Sequence, residues 1–172
     1  MTPTRIAILA PGLIGGSVAL AATRAFPKAK IAIWTRRADS ISSIQSALPK
    51  AEISTELSLL SGSDLVLLAA PPSALPSLIQ SALPYLTPST LVTDVSSIKE
   101  SVEKSLAPLL NKKARWIGSH PMAGSEDSGI QAARYDLSKT LPSSSPPPHP
   151  PQPTQFMMLP LSGNRSEPAS SR

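Results

Sequence analysis

Proline placement constrains this 172-residue chain more than any other feature. Of its 20 prolines, 11 fall within residues 1–139 and nine within the 33 residues 140–172. Seven serines accompany those nine, in stretches such as Ser143-Ser144-Ser145-Pro146-Pro147-Pro148. Each proline fixes φ and removes a backbone donor, so such a segment can neither pair as a strand nor continue a helix. The apolar patch Phe156-Met157-Met158-Leu159 is short and is cut by Pro160. Residues 140–172 are therefore expected to form a disordered Pro/Ser-rich tail. Residues 1–139 are left as one folded domain, long enough for a modest core.

Within those 139 residues, apolar runs alternate with helical spacing. Residues 5–9, 30–34, a weak centre at Ile53, 65–69, 91–94 and 115–119 read as six strands. Residues 13–26, 38–48, 74–83 and 97–107 read as the helices between them, with Pro27 and Pro49 closing the first two. Leu65-Val66-Leu67-Leu68-Ala69 is continuously apolar, as a parallel strand covered on both faces must be. Strands alternating with helices at this spacing imply βαβ units. A Gly-rich turn after the first strand points to the order 3-2-1-4-5-6. The fold class is α/β, a doubly wound parallel sheet of the Rossmann dinucleotide-binding kind.

Other chemistries are excluded by what the chain lacks. There is no cysteine, hence no disulfide scaffold, Cys-ligated metal site or thiol nucleophile, and no metal site is expected. No apolar run approaches the roughly 18 residues of a membrane helix. The strand-like run beginning at Arg5 leaves no room for a leader segment, so a cytoplasmic protein without a membrane partner is expected. The net charge of +5 is scattered, apart from Arg36-Arg37 and Lys112-Lys113. Nucleic-acid binding calls for a basic stripe interleaved with aromatics, which six aromatic residues do not supply. A small anionic molecule is the expected partner.

The turn after the first strand reads Ala10-Pro11-Gly12-Leu13-Ile14-Gly15-Gly16-Ser17. The dinucleotide fingerprint Gly-x-Gly-x-x-Gly needs a tight turn, close approach of the backbone to pyrophosphate, and close helix–strand packing. Gly12 and Gly15 match its second and third glycines, with Leu13 and Ile14 between them opening the helix toward phosphate. Ala10 stands where the first glycine belongs, which alanine tolerates if φ there is negative. The second strand ends Trp34-Thr35-Arg36-Arg37, with no acid before Asp39. An acid there would hold a ribose 2′-hydroxyl, whereas arginine suits a 2′-phosphate. Thr35, Arg36 and Arg37 therefore favour NADP as the cofactor, with NAD as the alternative.

The carboxyl ends of strands four to six should form one crevice, carrying Ala69-Ala70-Pro71-Pro72, then Asp94-Val95-Ser96-Ser97-Ile98-Lys99, then Ser119-His120-Pro121-Met122-Ala123-Gly124-Ser125-Glu126. Pro71 is a candidate cofactor-binding residue. Adjacent strands about 4.8 Å apart would bring Ser97 and His120 within reach of each other. A histidine beside a hydroxyl at such a crevice can accept the proton in a dehydrogenase.

Gly12-Leu13-Ile14-Gly15-Gly16-Ser17, Leu91-Val92-Thr93-Asp94-Val95-Ser96-Ser97-Ile98-Lys99 and His120-Pro121-Met122-Ala123-Gly124-Ser125-Glu126 together resemble the prephenate/arogenate dehydrogenases of tyrosine biosynthesis. The likeness runs over residues 5–137, and Ser96 departs from a common glycine. The resemblance implies oxidation and decarboxylation of prephenate or arogenate. It makes His120 the base toward the substrate 4-hydroxyl and Ser97 its orienting partner. Lys99 and Ser125 become candidate substrate contacts. It also implies a helical second domain that forms a homodimer, but no helical periodicity follows Leu137. A C-terminally truncated member is expected, with 140–172 arising from a frameshift or misread gene end. Two function classes stand: a working NADP-dependent dehydrogenase of this or another type, and a nucleotide-binding module without turnover.

Overall fold

The computed structural model describes residues 2–119 and 129–136. His120, Ser125 and the expected tail 140–172 lie outside the described residues.

Six strands form one sheet: β1 (Arg5–Leu9), β2 (Lys30–Trp34), β3 (Glu52–Ser54), β4 (Leu65–Leu68), β5 (Leu91–Asp94) and β6 (Arg115–Ile117). Their order is β3-β2-β1-β4-β5-β6, every pairing is parallel, and the doubly wound order expected from the sequence is the one found. Four α-helices connect them: α1 (Leu13–Ala25), α2 (Ile41–Ala47), α3 (Leu75–Ala82) and α4 (Lys99–Leu110).

The two-residue period of the strands separates the core into two layers. Ile6 and Ile8 of β1, with Ile31 and Ile33 of β2, pack against Ala19 and Ala22 of α1 and Ile44 of α2. Ala7 and Leu9, with Val66, Leu68 and Val92, face the other way against Leu75 and Ile79 of α3 and Leu106 and Leu110 of α4. Both faces of the sheet are covered, which is why its central strands read as unbroken apolar runs. At the amino end, Asp64 ties β4 to β1. Its Oδ2 accepts from Thr4 N–H (2.6 Å), Thr4 Oγ1 (2.8 Å) and Arg5 N–H (3.0 Å).

Several boundaries differ from the sequence reading, most of them by one to three residues. β6 ends at Ile117, two residues early. α4 begins at Lys99, leaving Ser97 in the preceding turn, and runs through Pro108 to Leu110. That proline withholds a donor from the Lys104 carbonyl in the last turns, where both residues are exposed and water can replace it. A 3-10 turn, Leu57–Leu60, was not anticipated; it buries Leu59 and Leu60 beside β2.

Candidate functional site

The turn from β1 into α1 combines two different reasons for small residues. Gly12 caps the helix at φ −72° and ψ −158°, and a Cβ built on it meets nothing within 4 Å. Neither conformation nor packing demands glycine there, which leaves room for a ligand to approach the backbone. At Gly15 the demand is packing: a Cβ would lie 2.8 Å from Ala69 Cβ, 3.0 Å from Ala10 O and 3.3 Å from Ile8 Cγ2. These are the second and third roles of the dinucleotide fingerprint. The helical ladder starts with Gly16 N–H on Gly12 O (2.8 Å), so the amides of Leu13, Ile14 and Gly15 form the open end of α1. Among the described residues no side chain caps that end, and its first turn holds no acid. An anion is the natural complement.

Ala10 overturns an expectation. Its φ is +64°, in the left-handed region, so the condition under which alanine is tolerated at the first glycine position is not met. Its amide donates to Trp34 O (3.0 Å) and its carbonyl accepts from Gly12 N–H (2.9 Å), closing a three-residue turn about the buried Pro11. Those two bonds hold the strained residue in place.

At the end of β2, Thr35 is buried, its amide donates to Ser54 O (3.0 Å), and its Oγ1 accepts from Arg37 N–H (3.3 Å). It shapes the turn and does not stand open to a phosphate. Arg37 grips Asp39 in a bidentate fork, Nε to Oδ1 at 3.0 Å and Nη2 to Oδ2 at 2.6 Å. The hydrogen bond from Arg37 is the main reason the Asp39 carboxyl sits below its ordinary range, and the same pairing raises Arg37. Arg36 is exposed and makes no ion pair among the described residues. Of the three residues expected to favour a 2′-phosphate, it alone is uncommitted.

β4, β5 and β6 end side by side, as expected. Pro71 is exposed in the turn after β4, at φ −54° and ψ 142°. Ser97 is exposed in the turn after β5, and Lys99 is the first residue of α4. The expected pairing of Ser97 with His120, and the placement of Ser125, lie outside the described residues. Sequence reading assigned no role to Asp94, yet it is the buried centre of this edge. Its Oδ2 accepts from Ser96 N–H (2.9 Å) and from Ser96 Oγ, and its Oδ1 accepts from Ser119 N–H (3.3 Å). Ser119 Oγ donates to the Asp94 carbonyl and accepts from Thr93 Oγ1 at 3.1 Å. The available signal was an acid at a strand end with serines two residues on and just past the neighbouring strand.

The segment Ile130–Ala132 packs against α1 and α2. Ile130 and Ala133 stand where a Cβ on Gly16 would be, at 2.3 and 2.9 Å. Arg134 N–H donates to Ser17 Oγ (2.9 Å), and the Arg24 guanidinium lies 3.7 Å above the centre of the Tyr135 ring. Gly16 and Ser17 thus serve to seat this segment. Among the described residues no helix is long and apolar enough to cross a membrane, and no group of three or more acidic or histidine side chains could hold a metal.

Residues 19–142 match the family model of the prephenate dehydrogenase nucleotide-binding domain. The chain is 34% identical over 138 residues to prephenate dehydrogenase of Lactococcus lactis subsp. cremoris, covering 77% of this chain and 38% of that protein. It is 31% identical over 128 residues to prephenate dehydrogenase of Bacillus subtilis, covering 73% and 34%. The fold superposes on prephenate dehydrogenase from A. aeolicus, solved in complex with hydroxyphenyl propionate and NAD+, with a TM-score of 0.73 at 27% identity over 80% of this chain and 48% of that one. Arogenate dehydrogenase from Synechocystis gives 0.65 at 26% identity over 77% and 46%. The chain thus spans little more than a third of the length of these two sequence relatives. By the extent of that match and the geometry of its Gly-rich turn, the chain belongs to the prephenate dehydrogenase nucleotide-binding domain family.

Proposed function

We propose that residues 1–139 are the dinucleotide-binding domain of a dehydrogenase that oxidises and decarboxylates prephenate or arogenate, giving 4-hydroxyphenylpyruvate or tyrosine, with NADP preferred to NAD. One observation carries the reading. Gly12 leaves open space over the uncapped amino end of α1, at the carboxyl edge of the sheet, where open α/β folds bind ligands. The sequence relatives named prephenate dehydrogenase, and the A. aeolicus structure named as holding NAD+, support the substrate class and a nicotinamide dinucleotide.

In this reading the amides of Leu13, Ile14 and Gly15 receive the pyrophosphate, Pro71 borders the cofactor, and Arg36 meets the 2′-phosphate, with Arg37 and Thr35 shaping its surroundings. When bound, the nicotinamide supplies the acceptor for the hydride leaving C4 of the substrate. His120 accepts the proton of the 4-hydroxyl, and Ser97 hydrogen-bonds the same hydroxyl and orients His120. Lys99 and Ser125 contact the substrate elsewhere. Because the ring becomes aromatic as carbon dioxide departs, these residues chiefly have to align C4 and remove one proton.

A second reading is a nucleotide-binding module without turnover, which the open amino end of α1 would serve equally well. Calorimetric titration with NADP and NAD, followed by assay with prephenate and arogenate, separates the two. Tighter NADP binding with turnover, cut about 10²-fold by His120→Asn, is the expected result. Binding without turnover selects the module, tighter NAD binding overturns the NADP preference, and failure to bind either dinucleotide overturns both readings.

A further inference from the structure

The backbone ladder between β5 and β6 stops at the pair Thr93–Ile117, yet the chain beyond it carries Ser97 on one side and His120 on the other. Asp94 takes over where the ladder ends. It lies two residues past Val92 on the same face of β5, and both are fully buried, so an apolar side chain would suit the slot by packing alone. A buried carboxylate carries a desolvation cost that only well-made hydrogen bonds offset. Here its two oxygens are divided between two segments, Oδ2 to Ser96 and Oδ1 to the amide of Ser119, while its carbonyl takes the Ser119 hydroxyl. Thr93 Oγ1 completes the tie from the strand side (3.1 Å to Ser119 Oγ).

We infer that Asp94 is a positioning residue that locks the turn after β5 and the exit of β6 into one unit. Ser97 follows Ser96, and His120 follows Ser119, so each proposed catalytic residue is the immediate neighbour of a residue that Asp94 grips. The roles of Ser97 and His120 come from the functional proposal above; the clamp itself is a property of the free chain. Among the described residues, both of its oxygens face donors, the Ser96 amide and hydroxyl on one side and the Ser119 amide on the other, which suits a carboxylate. Asparagine can satisfy one side with its carbonyl, but it presents N–H to a donor on the other.

The test uses the full chain, with amide hydrogen exchange and the ring resonances of its two histidines, His120 and His149, read by NMR. In Asp94→Asn the Ser119 amide should exchange at least tenfold faster and the His120 ring signals should shift, with His149 unmoved. A folded Asp94→Asn protein with wild-type exchange at Ser119 and an unmoved His120 would overturn the inference. If Asp94→Asn does not fold, Ser119→Ala decides: it keeps the carboxylate and removes both bonds of the Ser119 hydroxyl, to the Asp94 carbonyl and from Thr93, so shifted His120 signals support the clamp and unmoved ones refute it. In turnover the expected signature of Asp94→Asn is a kcat about 10²-fold lower with KM for NADP unchanged, as misplacement of reacting groups predicts. The NMR signals are read without ligand, so a wild-type chain lacking turnover counts against the functional proposal alone.

Discussion

Gly15 of α1 and Ala69 at the end of β4 approach so closely that a Cβ on Gly15 would stand 2.8 Å from Ala69 Cβ. The contact fixes the amino end of α1 against the centre of the sheet, and Ala10 O at 3.0 Å closes the other side. Gly15→Ala must push the helix outward, and overpacking of this kind costs about 1–3 kcal/mol. Gly12→Ala, which meets nothing within 4 Å at a negative φ, should cost less than about 1 kcal/mol, mainly through a poorer cap. Both should weaken dinucleotide binding, one by moving the helix and the other by filling the approach. Urea midpoints separate them; equal midpoints for the two variants would show that Gly15 is not packing-limited.

The left-handed Ala10 predicts an uncommon gain. An L-residue at φ +64° carries roughly 1–2 kcal/mol of steric cost that glycine does not, while glycine adds about 0.5–1 kcal/mol of unfolded-state entropy. Ala10→Gly should therefore raise stability by a few tenths to about 1 kcal/mol, and Ala10→Val should lower it. A thermal melt of the three proteins orders them; a destabilised Ala10→Gly would mean that the turn gains more from a restricted unfolded chain than it loses to strain.

The strands were legible because a parallel sheet covered on both faces turns burial into local composition. Lys30-Ile31-Ala32-Ile33-Trp34 and Leu91-Val92-Thr93-Asp94 carry their boundaries in the sequence. The glycines were legible because each role has its own spacing. The φ of Ala10 was not, since it is imposed by hydrogen bonds to Trp34 and Gly12 that only the fold creates. Nor was the seating of Ile130 on Gly16, a contact across 114 positions with no local signature. Asp94 reads as the polar end of a strand; β4 and β6 on either side are what bury it. Arg37 and Asp39 sit two residues apart, but whether they pair depends on the turn that Thr35 braces.

Asp64 makes stability depend on acid. The hydrogen bond from the Thr4 hydroxyl, then those from the Thr4 and Arg5 amides, hold its carboxyl below the ordinary range. A carboxylate whose folded pKa is depressed stabilises the fold above its unfolded value of about 4, and that stabilisation is lost as pH falls through the folded value. The gap in melting temperature between wild type and Asp64→Asn should thus be full at pH 7 and shrink steadily below about pH 4. A gap that stays constant down to pH 2 would mean that the latch does not distinguish the charged carboxylate from the amide.

Arg36 and Arg37 are neighbours with different prospects as ligands for a 2′-phosphate. Arg37 is already engaged in both arms by Asp39, whereas Arg36 is uncommitted among the described residues. A charge-assisted hydrogen bond to phosphate contributes about 1.5–3 kcal/mol. Arg36→Gln should weaken NADP binding by about tenfold or more and leave NAD binding unchanged, because NAD lacks the group it meets. Asp39→Asn should free the Arg37 fork and tighten NADP a few-fold. Calorimetry on the three proteins with both dinucleotides reads all of these effects. If Asp39→Asn instead weakens NAD and leaves NADP untouched, Asp39 is serving a ribose hydroxyl and the preference runs the other way.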